Sequence, residues 1–236
     1  MRKFLVKYID PLVPLWALPP LIVCFLLNCA IYWITMALCD GLYHYDLTIA
    51  FDENIPLQTE WVFIYLGYCY IFWAVSYCAV AHVYRDEPAM VFRFVFADLS
   101  SRIVCMLFFI FLPTRTVRPE ILGSDISDKL TRLLYQLDQP TNLFPSIHCL
   151  VSWLCFVGIR RSKKVHIGVK IFSMVSALAI MASTLFLKQH YIVDVLGGVA
   201  LAEVCYFIAW HTRLPRLFCY KYARLVDRIV PGAKLK

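Results

Sequence analysis

Charge is scarce in this chain. Asp, Glu, Lys and Arg make up 17% of its 236 residues, 61% are hydrophobic and the mean hydropathy is +0.68. A soluble domain is about one quarter charged and about half apolar, so this composition argues against a soluble single domain and for lipid around most of the chain. The 10 cysteines include no Cys-x-x-Cys pair and mostly lie inside apolar stretches, so they read as packing residues and say nothing of redox compartment. No internal repeat or low-complexity tract is present. The first apolar stretch carries Pro14, Pro19 and Pro20 and lacks a small-residue cleavage pattern, which favours a retained helix over a signal peptide. The net charge of +7 is not gathered into one basic stripe, which speaks against nucleic acid as a partner.

What the chain has is long apolar runs. Crossing a ~30 Å hydrocarbon layer takes about 20 helical residues. Six stretches approach that length: 12–38, 61–84, 92–113, 146–160, 167–187 and 191–211, the fourth being short. They predict an all-α, polytopic membrane protein, a six-transmembrane-helix bundle in one domain over 1–236. Basic residues occupy alternate connections: Arg2, Lys3 and Lys7; Arg85, Arg93 and Arg102; Arg160, Arg161, Lys163 and Lys164; Arg213, Arg216, Lys221, Arg224 and Arg228. The first connection instead carries Asp40, Asp46, Asp52, Glu53 and Glu60 without Lys or Arg. By the positive-inside rule the termini are cytoplasmic, and the first connection, 114–145 and the Lys188-Gln189-His190 corner face the other side. Within 114–145, Ser124 or Asp125 is placed to cap a helix with Ile126, Leu130, Leu133, Leu134 and Leu137 on one face, either packed on the bundle or laid in the outer interface.

Three stretches then bring chemistry to that outer side. His190 and Asp194 are four apart, one helix face, so the carboxylate can accept the imidazole Nδ1 proton and leave Nε2 free as nucleophile or base. Pro145 suits a first helical turn, and the helix start after it offers unpaired amides to an anion, with Ser146 as hydroxyl donor and His148 as proton donor in the same turn. Arg118, Arg115 and Lys188 add positive charge, the Arg fork matching phosphate oxygens. Two histidines could also ligate zinc or haem, but Arg118 and Lys188 would repel a metal ion and would neutralise a phosphoryl group. The expectation is metal-free phosphate chemistry without a cofactor.

These residues resemble the motifs of the type 2 phosphatidic acid phosphatase superfamily over about residues 110–200. Pro145-Ser146-Ile147-His148 is similar to its central Pro-Ser-x-His. Ser183, His190 and Asp194 are similar to its last motif, a Ser followed by His seven positions on and Asp four further. Arg118-Pro119 matches the end of the first motif, with Phe111 where a Lys is usual; Thr184 and Ile147 also replace a usual Arg and Gly. These departures bring the chain closest to the inositol phosphorylceramide synthase-like branch. The resemblance implies a lipid phosphate phosphatase in which His190 attacks phosphorus, Asp194 holds its tautomer and His148 protonates the leaving oxygen. Arg118, Lys188, Ser146 and Ser183, with Arg115 as a further member, would hold the phosphoryl oxygens. Lys188 is expected to replace part of the charge lost at Thr184. The substrate would be a lipid phosphate among the membrane lipids. Headgroup transfer between lipids is the alternative activity, and a non-enzymatic transporter a third. The sequence carries no signal of oligomeric state.

Overall fold

The computed structural model describes residues 5–39 and 41–229, with side chains over 6–39 and 41–224. Arg2, Lys3, Asp40 and the Arg228 side chain, used above for topology, lie outside the described residues. Among the described residues eight helices form: α1 Leu18–Cys39, α2 Thr59–Val83, α3 Pro88–Phe111, α4 Ile126–Leu137, α5 Ile147–Arg160, α6 Ile167–Phe186, α7 Ile192–His211 and α8 Leu214–Ile229. Short helical turns stand at Leu5–Ile9 and Ala50–Glu53. Among the described residues there is no strand, only the isolated bridges Tyr45 with Thr114 and Arg115 with Thr141.

Among the described residues the fold is all-helical, and five helices (α1, α2, α3, α6 and α7) are long and apolar enough to cross a membrane. The sixth expected span is α5, with 14 residues. At 1.5 Å per residue it rises about 21 Å, short of a ~30 Å hydrocarbon layer. Its position explains how a short helix is tolerated. It stands at the centre, packed against α2, α3, α6 and α7, and Leu150, Val151, Leu154, Cys155 and Val157 are fully or nearly fully buried. The irregular backbone before it is enclosed too, since Leu143, Pro145 and Ser146 are buried. Non-helical backbone at membrane depth is stable where protein rather than lipid covers it. The peripheral α1, by contrast, exposes Ile22, Val23, Phe25, Leu26 and Trp33.

One topological assignment needs correction. Arg102 was counted with the basic connection before α3, yet it lies 14 residues into that helix and is 3% exposed. Its guanidinium pairs with Asp98 at 3.0 Å and donates to the Asn28 side chain of α1, while Tyr77 of α2 donates to Asp98 at 2.6 Å. A buried cation needs such partners, because taking both charges out of water is costly unless they satisfy one another. Arg102 thus ties α1, α2 and α3 together and does not mark a loop.

In α4 both expected features are present in part. Asp125 is the capping residue, its amide donating to Asp128 at 3.0 Å. The helix packs on the start of α2, where Thr59 donates to Asp128 at 2.8 Å and Leu134 is buried, while Ile126, Leu133 and Leu137 remain exposed. Of the basic residues after α7, Arg216, Lys221 and Arg224 stand on α8, a helix beyond the six expected spans that packs along α3; Tyr222 donates to the Trp16 carbonyl at 2.7 Å.

Helix α7 crosses α5 at Gly198. A Cβ there would lie 2.5 Å from the Ser146 carbonyl oxygen and 3.1 Å from the Leu150 amide nitrogen, both backbone atoms that cannot swing aside. The glycine pair lets the two helices pack closely, with Gly197 set against the Phe144 ring. Gly198→Ala is expected to destabilise the fold by about 1–3 kcal/mol through overpacking. Thermal unfolding of the detergent-solubilised protein measures this, and an unchanged midpoint would contradict the contact.

Candidate active site

The two histidine segments meet because the starts of α5 and α7 are joined. The Ser146 amide donates to the Asp194 carbonyl at 3.0 Å. Ser146 caps α5, its hydroxyl accepting from the Cys149 amide at 3.3 Å, an arrangement that satisfies one of the orphan donors of a helix start. Asp194 caps α7 in turn, its Oδ2 accepting from the Tyr191 amide at 2.8 Å. The same Oδ2 lies 3.4 Å from His190 Nδ1. This carboxylate is 0% exposed and His190 8%. His190 Nδ1 and Asp194 Oδ1 have no hydrogen-bond partner, so the pair stands at ion-pair distance rather than in a closed hydrogen bond. Such contacts are commonly loose before substrate binds.

His148 faces His190 with ring centroids 5.9 Å apart. Aromatic rings from α2 surround it: Tyr65 at 4.6 Å, Trp73 at 5.5 Å and Tyr70 at 6.3 Å. Its Nδ1 lies 3.3 Å from the Tyr65 hydroxyl. Both histidines line one cavity of about 530 Å³. The rest of its wall is mostly apolar and aromatic, drawn from α1 (Phe25, Tyr32, Trp33), α2 (Tyr65, Tyr70, Trp73), α3 (Phe109) and α4 (Leu134, Leu137), with Asp138 and Gln189 at the polar end.

Arg118 is held at that end. It donates to the carbonyls of Asp138 at 2.5 Å and Tyr135 at 3.2 Å and to Gln189 Oε1 at 2.6 Å, with its guanidinium over the Tyr135 ring and 4.0 Å from the Asp138 carboxylate. Burial lowers its pKa from the usual value, and Asp138 acts against that. Two buried donors are left without partners here, Arg118 Nε and Gln189 Nε2. Buried polar groups are normally paired, so unpartnered donors beside the cavity mark where oxygen atoms of a ligand can be received.

The structure thus unites His148, His190, Asp194, Ser146 and Arg118. It does not bring in the other three expected phosphate contacts. Lys188 adopts a positive φ of 52° and its Nζ donates to the Asp52 carbonyl at 3.0 Å. Ser183 donates to the Ile180 carbonyl of its own helix at 2.6 Å and is fully buried. Arg115 is exposed and lies by Asp46, whose carboxyl is held below its usual pKa chiefly by Thr48 and to a lesser extent by Arg115. Gln189, Tyr65 and Asp138 are the members that sequence reasoning missed. None is charged in a motif-like spacing, and only the position of Gln189 beside His190 offered a signal.

The geometry accords with a match to the PAP2 superfamily over residues 41–208. The chain belongs to this superfamily. Membership supports a phosphatase- or phosphotransferase-type activity on lipid phosphates, and the helices make this PAP2 protein a multi-pass membrane protein. No curated protein and no solved structure matches the chain. Every candidate site residue falls inside the matched region, whereas α1, which lines the cavity through Phe25, Tyr32 and Trp33, falls outside it.

The contacts around Gln189 generate a test. Gln189→Ala removes the acceptor that orients Arg118 and leaves that guanidinium buried and under-satisfied. Hydrogen bonds to charged groups contribute about 1.5–3 kcal/mol, so kcat/KM is expected to fall roughly 10- to 100-fold. Lys188→Ala, which removes a cation held at Asp52, is expected to lose less. Phosphate release by the two variants decides the order, and a larger loss at Lys188 would put its ammonium on the phosphate.

Proposed function

We propose that this chain is a metal-independent lipid phosphate phosphatase that works through a phosphohistidine on His190, at the extracytoplasmic face, with both termini cytoplasmic. The observation that carries the reading is the pair of histidines facing each other on one cavity whose other walls are mostly apolar and aromatic. A lipid phosphate is the ligand that needs both halves: an anion at Arg118 and the helix starts, and a hydrocarbon tail among Phe25, Trp33, Tyr70 and Trp73.

In this mechanism His190 Nε2 attacks phosphorus while Asp194 keeps the proton on Nδ1 and stabilises the cation that forms. The leaving alkoxide takes a proton from His148. Arg118, with the Gln189 amide and the Ser146-capped start of α5, neutralises charge on the phosphoryl oxygens, each such donor contributing about 2.7–4 kcal/mol where it acts like an oxyanion-hole group. Ser183, Lys188 and Arg115 would join these contacts only once their present partners are released. Water then discharges the phosphohistidine.

A second reading is transfer of a phosphoryl headgroup to an acceptor lipid hydroxyl, as in the inositol phosphorylceramide synthase-like branch. It is favoured by a second cavity of about 360 Å³, which shares Phe25, Asn28, Tyr70 and Trp73 with the first and so adds room for another hydrocarbon chain.

Phosphate release from a panel of lipid phosphates by the purified protein in EDTA tests the proposal. Release is expected to survive chelation and to fall at least 10³-fold in His190→Ala, by analogy with loss of a catalytic nucleophile. An acid-labile, base-stable phosphoenzyme is expected in wild type. Release abolished by EDTA, or unaffected by His190→Ala, would overturn it; headgroup transfer that appears only with an acceptor lipid would favour the second reading.

A further inference from the structure

Tyr65 and Asp138 occupy a place that the mechanism above does not use. Tyr65, from α2, is 1% exposed, and its hydroxyl is flanked by two groups: His148 Nδ1 at 3.3 Å and Asp138 Oδ2 at 3.5 Å. The other oxygen of Asp138 is held by the Tyr32 hydroxyl of α1 at 2.8 Å, and Arg118 stands 4.0 Å from the carboxylate. A phenol has one proton to donate, and an ionised carboxylate can only accept. Tyr65 therefore donates to Asp138, and the Tyr65 oxygen is left to accept from His148 Nδ1–H.

From this chain of contacts we infer that Tyr65 and Asp138 are positioning residues that fix the proton on His148 Nδ1, reserve Nε2 for chemistry and favour the protonated imidazole. The inference rests on His148 being the proton donor of the proposed reaction. The logic parallels that of Asp194 and His190, with one hydroxyl inserted between carboxylate and ring. Such help is needed because the ring is otherwise packed among Tyr65, Tyr70 and Trp73, surroundings that solvate a cation poorly. The titratable and charged groups that face it are Tyr65 and Tyr70 from α2, His190 from the corner before α7, Asp138 and Arg118 from the 114–145 connection, and more distantly Arg102 from α3. Asp138 is the one acid in that set, and it reaches the ring only through Tyr65.

The proton balance closes over a turnover. In the first half, His190 Nε2 bonds to phosphorus, the bond from phosphorus to the leaving oxygen breaks, and that oxygen takes the Nε2 proton of His148. His148 is then neutral, still carrying its Nδ1 proton toward Tyr65. In the second half, water or an acceptor hydroxyl bonds to phosphorus as the His190 nitrogen leaves, and its proton goes to His148 Nε2. Asp138 and Tyr65 end as they began. A fixed Nδ1 proton is what lets one nitrogen serve as acid and then as base.

Tyr65→Phe tests this in the full-length protein, since it keeps the ring against His148 and removes only the hydroxyl. The probes are a short-chain phosphatidic acid, whose alkoxide leaving group needs a proton, and para-nitrophenyl phosphate, whose leaving group does not. General acid catalysis contributes about 10²–10⁴-fold. Part of this is lost: kcat/KM on phosphatidic acid is expected to fall about 10- to 100-fold in Tyr65→Phe and on para-nitrophenyl phosphate less than threefold. The alkaline limb of the rate profile is expected to move about one pH unit toward acid, the size of one hydrogen bond to a charged group. Asp138→Asn, which alters the far end of the chain, is expected to reproduce both effects, and the double variant to lose little more than either single one. Equal losses on the two substrates with an unmoved pH limb would reduce Tyr65 to a structural role and overturn the inference alone. Wild-type protein that forms no phosphohistidine would instead overturn the function it rests on.

Discussion

The hydrogen bond from the Ser146 amide to the Asp194 carbonyl joins two helix starts that are 48 positions apart in sequence, and the candidate chemistry is arranged around it. His148 follows the first of these residues by two positions and His190 precedes the second by four. The contact requires backbones to approach closely, and Gly198, which has no side chain, permits it against the Ser146 carbonyl. Both capping groups are also functional neighbours: Ser146 satisfies the start of α5 while Asp194 satisfies the start of α7 and faces His190 with the same oxygen. Helix capping and the Asp194–His190 contact thus involve the same few atoms, so a change at either position perturbs fold and candidate site together.

A bundle that carries ionisable groups in a poorly solvating interior must match each of them within the protein. Asp98 and Arg102 do so with Tyr77 and Asn28, linking three helices by charge-assisted bonds. Glu203 of α7 does so with Arg160 and Trp153 of α5, the closest of these contacts being made at the end of α5 opposite His148. The short central helix is therefore pinned at both ends by polar contacts and along its length by apolar burial. Of the buried polar atoms left without a partner, Gln189 Nε2, Arg118 Nε and His190 Nδ1 belong to the candidate site, while others, such as Asp98 Oδ2 and Ser173 Oγ, lie on residues away from the cavity wall.

Much of this was legible in the sequence, for reasons of range. His148, His190 and Asp194 lie in short segments where helical spacing relates side chain to side chain, and the apolar runs gave the helices within a few residues. Lys188 misled because nearness in sequence is a poor guide at a corner. Its positive φ accompanies a side chain that reaches the Asp52 carbonyl while the next two residues line the cavity. Arg102 misled because the positive-inside rule counts charges without knowing whether a partner, here Asp98, makes one tolerable within the span. Tyr65 could not be seen at all. Its inferred role depends on a contact with Asp138, 73 positions away, and an aromatic residue in an apolar helix looks like packing.

The arrangement divides labour along the chain. The polar residues of the candidate site, Arg118, Asp138, His148, Gln189 and His190, all come after α3. The apolar wall of the cavity comes largely from α1 and α2, through Phe25, Trp33, Tyr70 and Trp73, and further apolar residues of α1 are exposed. These two regions carry different constraints. The phosphate side requires sub-ångström relations among polar atoms, which a rigid centre such as α5 with its buried neighbours can hold. The tail side needs only apolar volume, which tolerates substitutions that conserve size and hydrophobicity. On the proposed function, changes in α1 would retune which lipid is accepted while the histidine chemistry stays in place, and Asn28, shared by both cavities and bonded to Arg102, is the polar point at which such a change would reach the core.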